Sequence, residues 1–274
     1  MASRATALVT GASSGIGEAL AVELARKGCR LVLTARRQVA LDALAERLRD
    51  EHGVEVNVVT ADLAAPDGVD SLVAELHTRG LVVDVLVNNA GFGDFDPLAE
   101  AEGSKLHDML AVNVTALTML TRALLPGMLR RAHGTVLNVA STAAFVPGPG
   151  MAVYYASKAY VLSFSEALAE EVRGTGVRVT ALCPGPVATE FQERAELHRS
   201  QLLANSSGAM LDPTTVARAA VRGVEKGAVR VLPGAMSKAT AILPRLLPRS
   251  ALTRVVARAQ APVAEEEAAR PASG

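Results

Sequence analysis

The chain has 274 residues, half of them hydrophobic, with 28 Lys and Arg against 28 Asp and Glu. Such a length buries a large core without disulfide or metal. The zero net charge argues against a nucleic-acid partner, and the apolar content excludes disorder over most of the chain. Cys29 and Cys183 make neither a metal-ligand spacing nor a disulfide framework, and the five His are scattered without an HExxH. No signal peptide opens the chain, and no stretch of about 18 apolar residues occurs. A reducing, cytoplasmic setting without a membrane span is therefore expected.

Strand and helix signals alternate along the first 232 residues. Ala5–Val9 reads as a strand and Gly15–Lys27 as a helix, with Ile16, Leu20 and Leu24 four apart. A strand at Arg30–Thr34 precedes a helix over about Gln38–Asp50. Glu55–Thr60 alternates, Pro66–Arg79 is helical and Val82–Val87 is a strand. A long helix near Ser104–Arg131 leads to a strand at Thr135–Ala140. Val153–Arg173 is helical and Val177–Leu182 extended. A further helix starts near Asp212 or Pro213, where Asp can cap and Pro suits the first turn, and Val229–Leu232 is a last short strand. Seven strands with intervening helices predict an α/β domain over 1–232: a doubly wound, Rossmann-type parallel sheet covered on both faces. Pro184–Leu211 is a long connection suited to a lid. Residues 233–274 form an extension whose last part, after Glu265, is expected to be disordered.

Thr10-Gly11-Ala12-Ser13-Ser14-Gly15-Ile16-Gly17 joins the first strand to the first helix. Glycine permits a tight turn and close backbone approach to a pyrophosphate, whose charge the helix N-terminus then faces. The second strand ends Thr34-Ala35-Arg36-Arg37, with no carboxylate to hold a ribose 2′-hydroxyl. Arg36 or Arg37 can instead pair with a 2′-phosphate, which favours NADP(H) and leaves NAD(H) usable. Asp62 and Leu63, after the third strand, are placed to meet an adenine.

Ser141, Tyr154 and Lys158 carry candidate chemistry. Tyr154 and Lys158 are four apart and share a helical face. A free phenol has a pKa of about 10, and a nearby ammonium lowers it, so the phenol can exchange a proton with a ketone or alcohol. Ser141, at the end of the fifth strand, can hold the substrate oxygen. Tyr155 lies three before Lys158, so spacing alone leaves both tyrosines open.

With these residues the chain resembles the short-chain dehydrogenase/reductase family over about residues 5–232. The resemblance rests on Thr10-Gly-x-x-x-Gly15-x-Gly17, Asn88-Asn89-Ala90-Gly91, Asn113, Ser141, Tyr154-x-x-x-Lys158 and Pro184-Gly185-Pro186-Val187-x-Thr189. The family's separation of 13 between serine and tyrosine selects Tyr154. The resemblance implies that Ser141 orients the carbonyl, Tyr154 transfers the proton, Lys158 holds the nicotinamide ribose and lowers the phenol pKa, and Asn113 maintains a water-linked proton route. It places Asn89, Ala90 and Gly91 beside the cofactor, with Pro184, Gly185, Val187 and Thr189 at its nicotinamide half. Ala140 stands where many members have a second serine.

A substrate wall is expected from Phe145, Val146 and Met151, from Phe191, Leu197, Leu202 and Leu203 in the long connection, and from Phe92 and Phe95. Such a pocket suits a bulky apolar ketone or alcohol, steroid-like or 3-oxoacyl, better than a sugar. Residues 233–260 hold Lys238, Arg245, Arg249, Arg254 and Arg258 and no acid. They read as broken, basic amphipathic helix. A subunit or lid contact is favoured over membrane-surface docking, because Pro244 and Pro248 interrupt the pattern. The two long helices resemble those that pair subunits in the family, so a homodimer or homotetramer is expected. The competing readings are a cofactor-sensing binding protein without turnover, a nucleotide-sugar epimerase, which lacks its longer substrate domain here, and a membrane-surface interaction protein.

Overall fold

The structure, a computed structural model, describes residues 5–195, 201, 210–242, 244 and 248–261. Seven strands form one parallel sheet: β1 (Thr6–Thr10), β2 (Arg30–Thr34), β3 (Val56–Val58), β4 (Val85–Asn88), β5 (Gly134–Val139), β6 (Val177–Leu182) and β7 (Arg230–Val231). Their order is β3-β2-β1-β4-β5-β6-β7. Every residue of β1, β4 and β5 is buried, which is why their middles, residues 7–9, 85–87 and 136–137, are apolar without alternation.

Two helical layers cover the sheet. On one face lie α1 (Gly15–Arg26), α2 (Gln38–His52) and α8 (Pro213–Glu225). Leu20, Leu24, Leu41 and Ala220 there meet Ala7 and Val9 of β1. On the other face lie α3 (Gly68–Thr78), α5 (Leu117–Arg130) and α6 (Ala152–Glu171), whose Leu72, Leu120 and Leu168 meet Leu8. Neighbouring β1 residues thus enter opposite cores, as the two-residue period of a strand requires. Asp212 caps α8 as expected, its Oδ2 accepting from the Thr215 N–H at 2.9 Å.

The long helix differs from its prediction. It comprises α4 (Gly103–Leu110), a π-turn over Ala111–Ala116, and α5. The wider turn lets Asn113 bond the backbone of Phe92 in both directions. The Gly103–Arg130 rod is also long and apolar enough to cross a membrane. No unbroken apolar run marks it, because Asn113, Thr118, Thr121 and Arg122 punctuate the pattern. Here Leu120 and Met128 anchor it to the sheet, and Thr121 accepts a hydrogen bond from Asn88 at 3.0 Å.

The predicted third strand shortens to Val56–Val58, since it pairs on one edge only. The 184–211 connection contains a short helix, α7 (Phe191–Arg194). The extension forms α9 (Gly234–Ile242) and α10 (Arg249–Ala259), separated near Pro244 and Pro248 as the two prolines foretell. Leu197, Leu202, Leu203, Arg245 and the segment from Glu265 lie outside the described residues.

From β1 the chain winds outward through β2 and β3, then crosses back to β4 and winds the other way. The reversal opens a crevice at the carboxyl ends of β1 and β4, where open α/β sheets bind ligands.

Candidate active site

The end of β1 is tied to the end of β4. The Thr10 Oγ1 accepts from the Asn89 N–H at 3.0 Å and the Ala90 N–H at 2.9 Å, and donates to the Val87 carbonyl at 3.2 Å. Asn89 Nδ2 returns bonds to the carbonyls of Thr10 (2.9 Å) and Gly11 (3.2 Å). Gly11 has φ +64°, and a Cβ there would lie 2.9 Å from the Ala90 Cα. At Gly17 a Cβ would lie 2.3 Å from the Gly11 carbonyl oxygen. These glycines let the turn fold flat onto α1. Ser14, the N-cap of α1, makes no side-chain capping bond, which leaves first-turn N–H groups open to an anion. The cradle fits the pyrophosphate of a dinucleotide.

Arg37 is already engaged. Its Nη2 donates to the Ser13 carbonyl at 3.1 Å and pairs with Glu190 at 3.1 Å, linking the glycine turn to the lid. Arg36 lines the same cavity, is exposed, and has no ion pair or hydrogen bond among the described residues. Of the two, it is the guanidinium with spare capacity. Asp62 accepts the Ala64 N–H at 3.0 Å, a turn-capping bond, and lines the cavity with Leu63.

At the reacting end, Ser141 closes β5. Its Oγ accepts the Ala143 N–H at 3.1 Å, so its own proton remains to be donated. Tyr154 lies in an apolar cluster with Phe95, Met109 and Met151, its ring centroid 5.5 Å from that of Phe191 and 6.0 Å from that of Tyr155. Burial pushes its phenol up to about 12, and a hydrogen bond with Ser141 works against that rise. Lys158 is also buried. Its Nζ donates to the Val139 carbonyl at 3.0 Å and stands 5.8 Å from the Tyr154 ring centroid. Burial brings its pKa down to about 8.

The expectation that the ammonium lowers the phenol pKa is therefore corrected for this structure. Burial raises the phenol, Ser141 is the group that works against the rise, and the ammonium is held by a backbone carbonyl. The contact with Ser141 separates the tyrosines, since the Tyr155 hydroxyl instead accepts from Gln260 Nε2 at 2.7 Å.

Asn113 sits behind Gly91 and does not line the cavity. Its Oδ1 accepts the Phe92 N–H at 3.1 Å, and its Nδ2 donates to the Phe92 carbonyl at 2.9 Å and to Ser157 Oγ at 3.1 Å. A Cβ on Gly91 would lie 2.9 Å from Asn113 Oδ1 and 3.3 Å from Lys158 Nζ, so only glycine leaves these two groups their places.

One cavity of about 1090 Å³ joins these parts. Its wall includes Gly11, Ser13, Ser14, Gly15 and Ile16; Asn89, Ala90 and Gly91; and Pro184, Gly185, Val187 and Thr189. Gly17 is behind the turn. Phe92, Val146, Met151 and Phe191 line the apolar half, with Phe95 packed behind them. Phe145 is the misplaced prediction. It ends the 3₁₀ turn Thr142–Phe145, which sends its ring against a separate cluster with Leu117, Val161 and Cys183. The extension, read from the sequence as a subunit or lid contact, takes the lid position, although its individual wall residues were not named. Met236 of α9 and Leu252, Val255, Val256 and Gln260 at α10 line the cavity. The signal available was the apolar spacing of Leu252, Val255, Val256 and Ala259.

Residues 5–200 match the short chain dehydrogenase family. The chain belongs to the short-chain dehydrogenase/reductase family. It is 44% identical over 185 residues to sulfoacetaldehyde reductase of Chromohalobacter salexigens, covering 67% of this chain and 72% of that one. Among solved structures it resembles a short-chain dehydrogenase from Sphingobium yanoikuyae in complex with NADPH, with a TM-score of 0.79 and 33% identity over 94% of this chain and 98% of that one. It is likewise similar to the bulky-bulky ketone specific alcohol dehydrogenase of Comamonas testosteroni, with a TM-score of 0.75 and 29% identity over 89% and 93%. As a short-chain dehydrogenase/reductase the chain is an oxidoreductase acting on CH–OH groups.

Proposed function

We propose that this short-chain dehydrogenase/reductase interconverts a bulky, apolar secondary alcohol and its ketone, preferring NADP(H) and tolerating NAD(H). The observation that carries the reading is one cavity with the glycine cradle at one end, an apolar wall at the other, and Ser141, Tyr154 and Lys158 lining it as well. The named neighbours with NADPH and with bulky ketones support it. The apolar wall suits steroid-like or 3-oxoacyl substrates.

A bound nicotinamide cofactor supplies or accepts the hydride. The chain's own residues do the rest. The glycine turn and the α1 N-terminus would hold the pyrophosphate, and Arg36 would hold a 2′-phosphate. Ser141 donates its hydroxyl proton to the substrate oxygen. Tyr154, a phenol whose pKa burial raises further above pH 7, carries the proton that the oxygen takes up on reduction. Lys158 is mostly cationic at pH 7 and stabilises the negative charge that then develops on the phenol. Asn113 holds Phe92 and Ser157 in place behind Gly91. A homo-oligomer is part of this reading.

Cofactor choice tests the Arg36 assignment. Arg36→Asp removes a cation and adds a ribose 2′-hydroxyl acceptor. It is expected to lower kcat/KM with NADPH by roughly tenfold or more, as for a lost charge-assisted bond, and to raise it with NADH. Equal efficiency of the wild type with both cofactors contradicts the preference.

Phe191→Ala tests the wall. The lost apolar contact is worth about 1–2 kcal/mol for a ligand that reaches it. KM should rise roughly tenfold for the bulkiest ketone and little for a small one. A uniform change across substrate size would remove Phe191 from the pocket.

A further inference from the structure

The extension packs some apolar residues inward and leaves others exposed at the cavity mouth. Leu252 is buried and Val256 packs inward beside Phe95, Met151 and Tyr155, with Gln260 bonded to the Tyr155 hydroxyl. Ser237 of α9 is likewise held inward, its Oγ accepting the Gly185 N–H at 3.0 Å. Three others stay largely exposed. Met236, Ile242 and Val255 are 65%, 55% and 53% exposed. Met236 and Val255 also line the cavity, so they form part of its rim. Lys238, Arg249, Arg254 and Arg258, on the same two helices, are exposed and make no ion pair among the described residues. No acid occurs between residues 233 and 261, in a chain whose net charge is zero.

We propose that this rim, the outer face of α9 and α10, docks on an anionic lipid surface, so that the enzyme draws a membrane-dissolved ketone or alcohol straight into its cavity. The substrate clause rests on the reading above; the docking does not. Single exposed apolar residues need no explanation, but three set among unpaired cations form the pattern of an interfacial helix pair. Such a pair gains from apolar burial and from attraction to anionic headgroups together. A second copy of this chain fits the face poorly. A two-fold contact would set the cations against themselves, because such an interface uses the same patch on both subunits. The apolar rim favours lipid over an acidic protein, because it leads from the acyl layer of a bilayer into an apolar chamber.

The test is sedimentation of the full chain with vesicles of phosphatidylcholine alone and of phosphatidylcholine with phosphatidylglycerol. Binding is expected only with phosphatidylglycerol, and it should fall as salt is raised. The double variant Arg254→Glu/Arg258→Glu is expected to bind those vesicles roughly 30-fold more weakly or worse, about fivefold per cation lost. Ile242→Asn, which removes apolar surface and adds no charge, should weaken binding without changing its salt dependence. All variants should reduce a small soluble ketone at the wild-type rate. Absence of binding to either vesicle overturns the proposal. Binding that survives both high salt and the double variant does so too. A change of oligomer mass in Arg254→Glu/Arg258→Glu would assign the face to a second copy, and tighter binding of polyglutamate than of the anionic vesicles would assign it to an acidic protein. Vesicle binding by a wild type that reduces no ketone would uphold docking and remove the proposed activity.

Discussion

Tyr154→Phe is expected to keep the fold and NADPH binding while lowering kcat and kcat/KM together by about 10²–10⁴-fold, the contribution of a placed proton donor. The substitution removes one hydroxyl from a ring packed against Phe191 and Tyr155 and leaves that packing in place. Ser141 loses its phenol partner but retains the Ala143 N–H. Tyr155→Phe separates chemistry from architecture. It deletes the hydroxyl that Gln260 binds, so it should loosen the α10 roof and raise KM for bulky ketones while sparing the chemical step. Steady-state rates beside an NADPH fluorescence titration distinguish the two variants. A dead Tyr155→Phe with an active Tyr154→Phe would shift the reacting phenol by one residue. Full activity in both would leave a cofactor-sensing protein without turnover.

Lys158→Met is expected to change both rate and stability, each with its own pH signature. Below a pH of about 8 the wild-type amine is protonated, and the ammonium can stabilise the charge that forms on Tyr154 during reduction. Ketone reduction by the wild type should therefore fall as the pH rises through about 8. The variant should start far lower and lose that inflection. For stability, the folded amine titrates near 8, below its ordinary 10.5. Between those two values the unfolded chain holds a proton that the folded chain does not, so wild-type stability rises with pH across the window. At about 1.4 kcal/mol per pKa unit, the wild type should gain about 3 kcal/mol on Lys158→Met between pH 8 and 10.5. Below pH 8 the burial penalty is present in full. It is partly offset by the Val139 carbonyl, which the variant leaves without its donor at a cost of about 1–3 kcal/mol. Urea denaturation of the cofactor-free proteins at several pH values measures this; parallel stability curves would show that burial does not depress the amine.

The Gly11–Gly17 turn, the Tyr154–Lys158 spacing, the helix start at Asp212 and the alternation of seven strands with helices were all legible in the sequence. Each is set by covalent geometry or by a period of two to four residues, which a local stretch of chain contains in full. The family motifs extended that reading to Asn113 and chose Tyr154 over Tyr155, since they recur in order at set separations. Other features depend on groups brought together from far along the chain, and only the tertiary structure decided them. Arg37 is occupied because Glu190 of the lid folds onto the glycine turn, leaving Arg36 uncommitted. Phe145 leaves the cavity because a single 3₁₀ turn redirects it. The phenol of Tyr154 rises and the amine of Lys158 falls because both are buried, and burial is a property of everything packed around a group, not of its four-residue spacing. The extension becomes cavity wall through Gln260, which reaches Tyr155 across 105 residues of sequence. No local pattern encodes such a pairing; it exists only once the sheet has placed α6 beneath the returning chain.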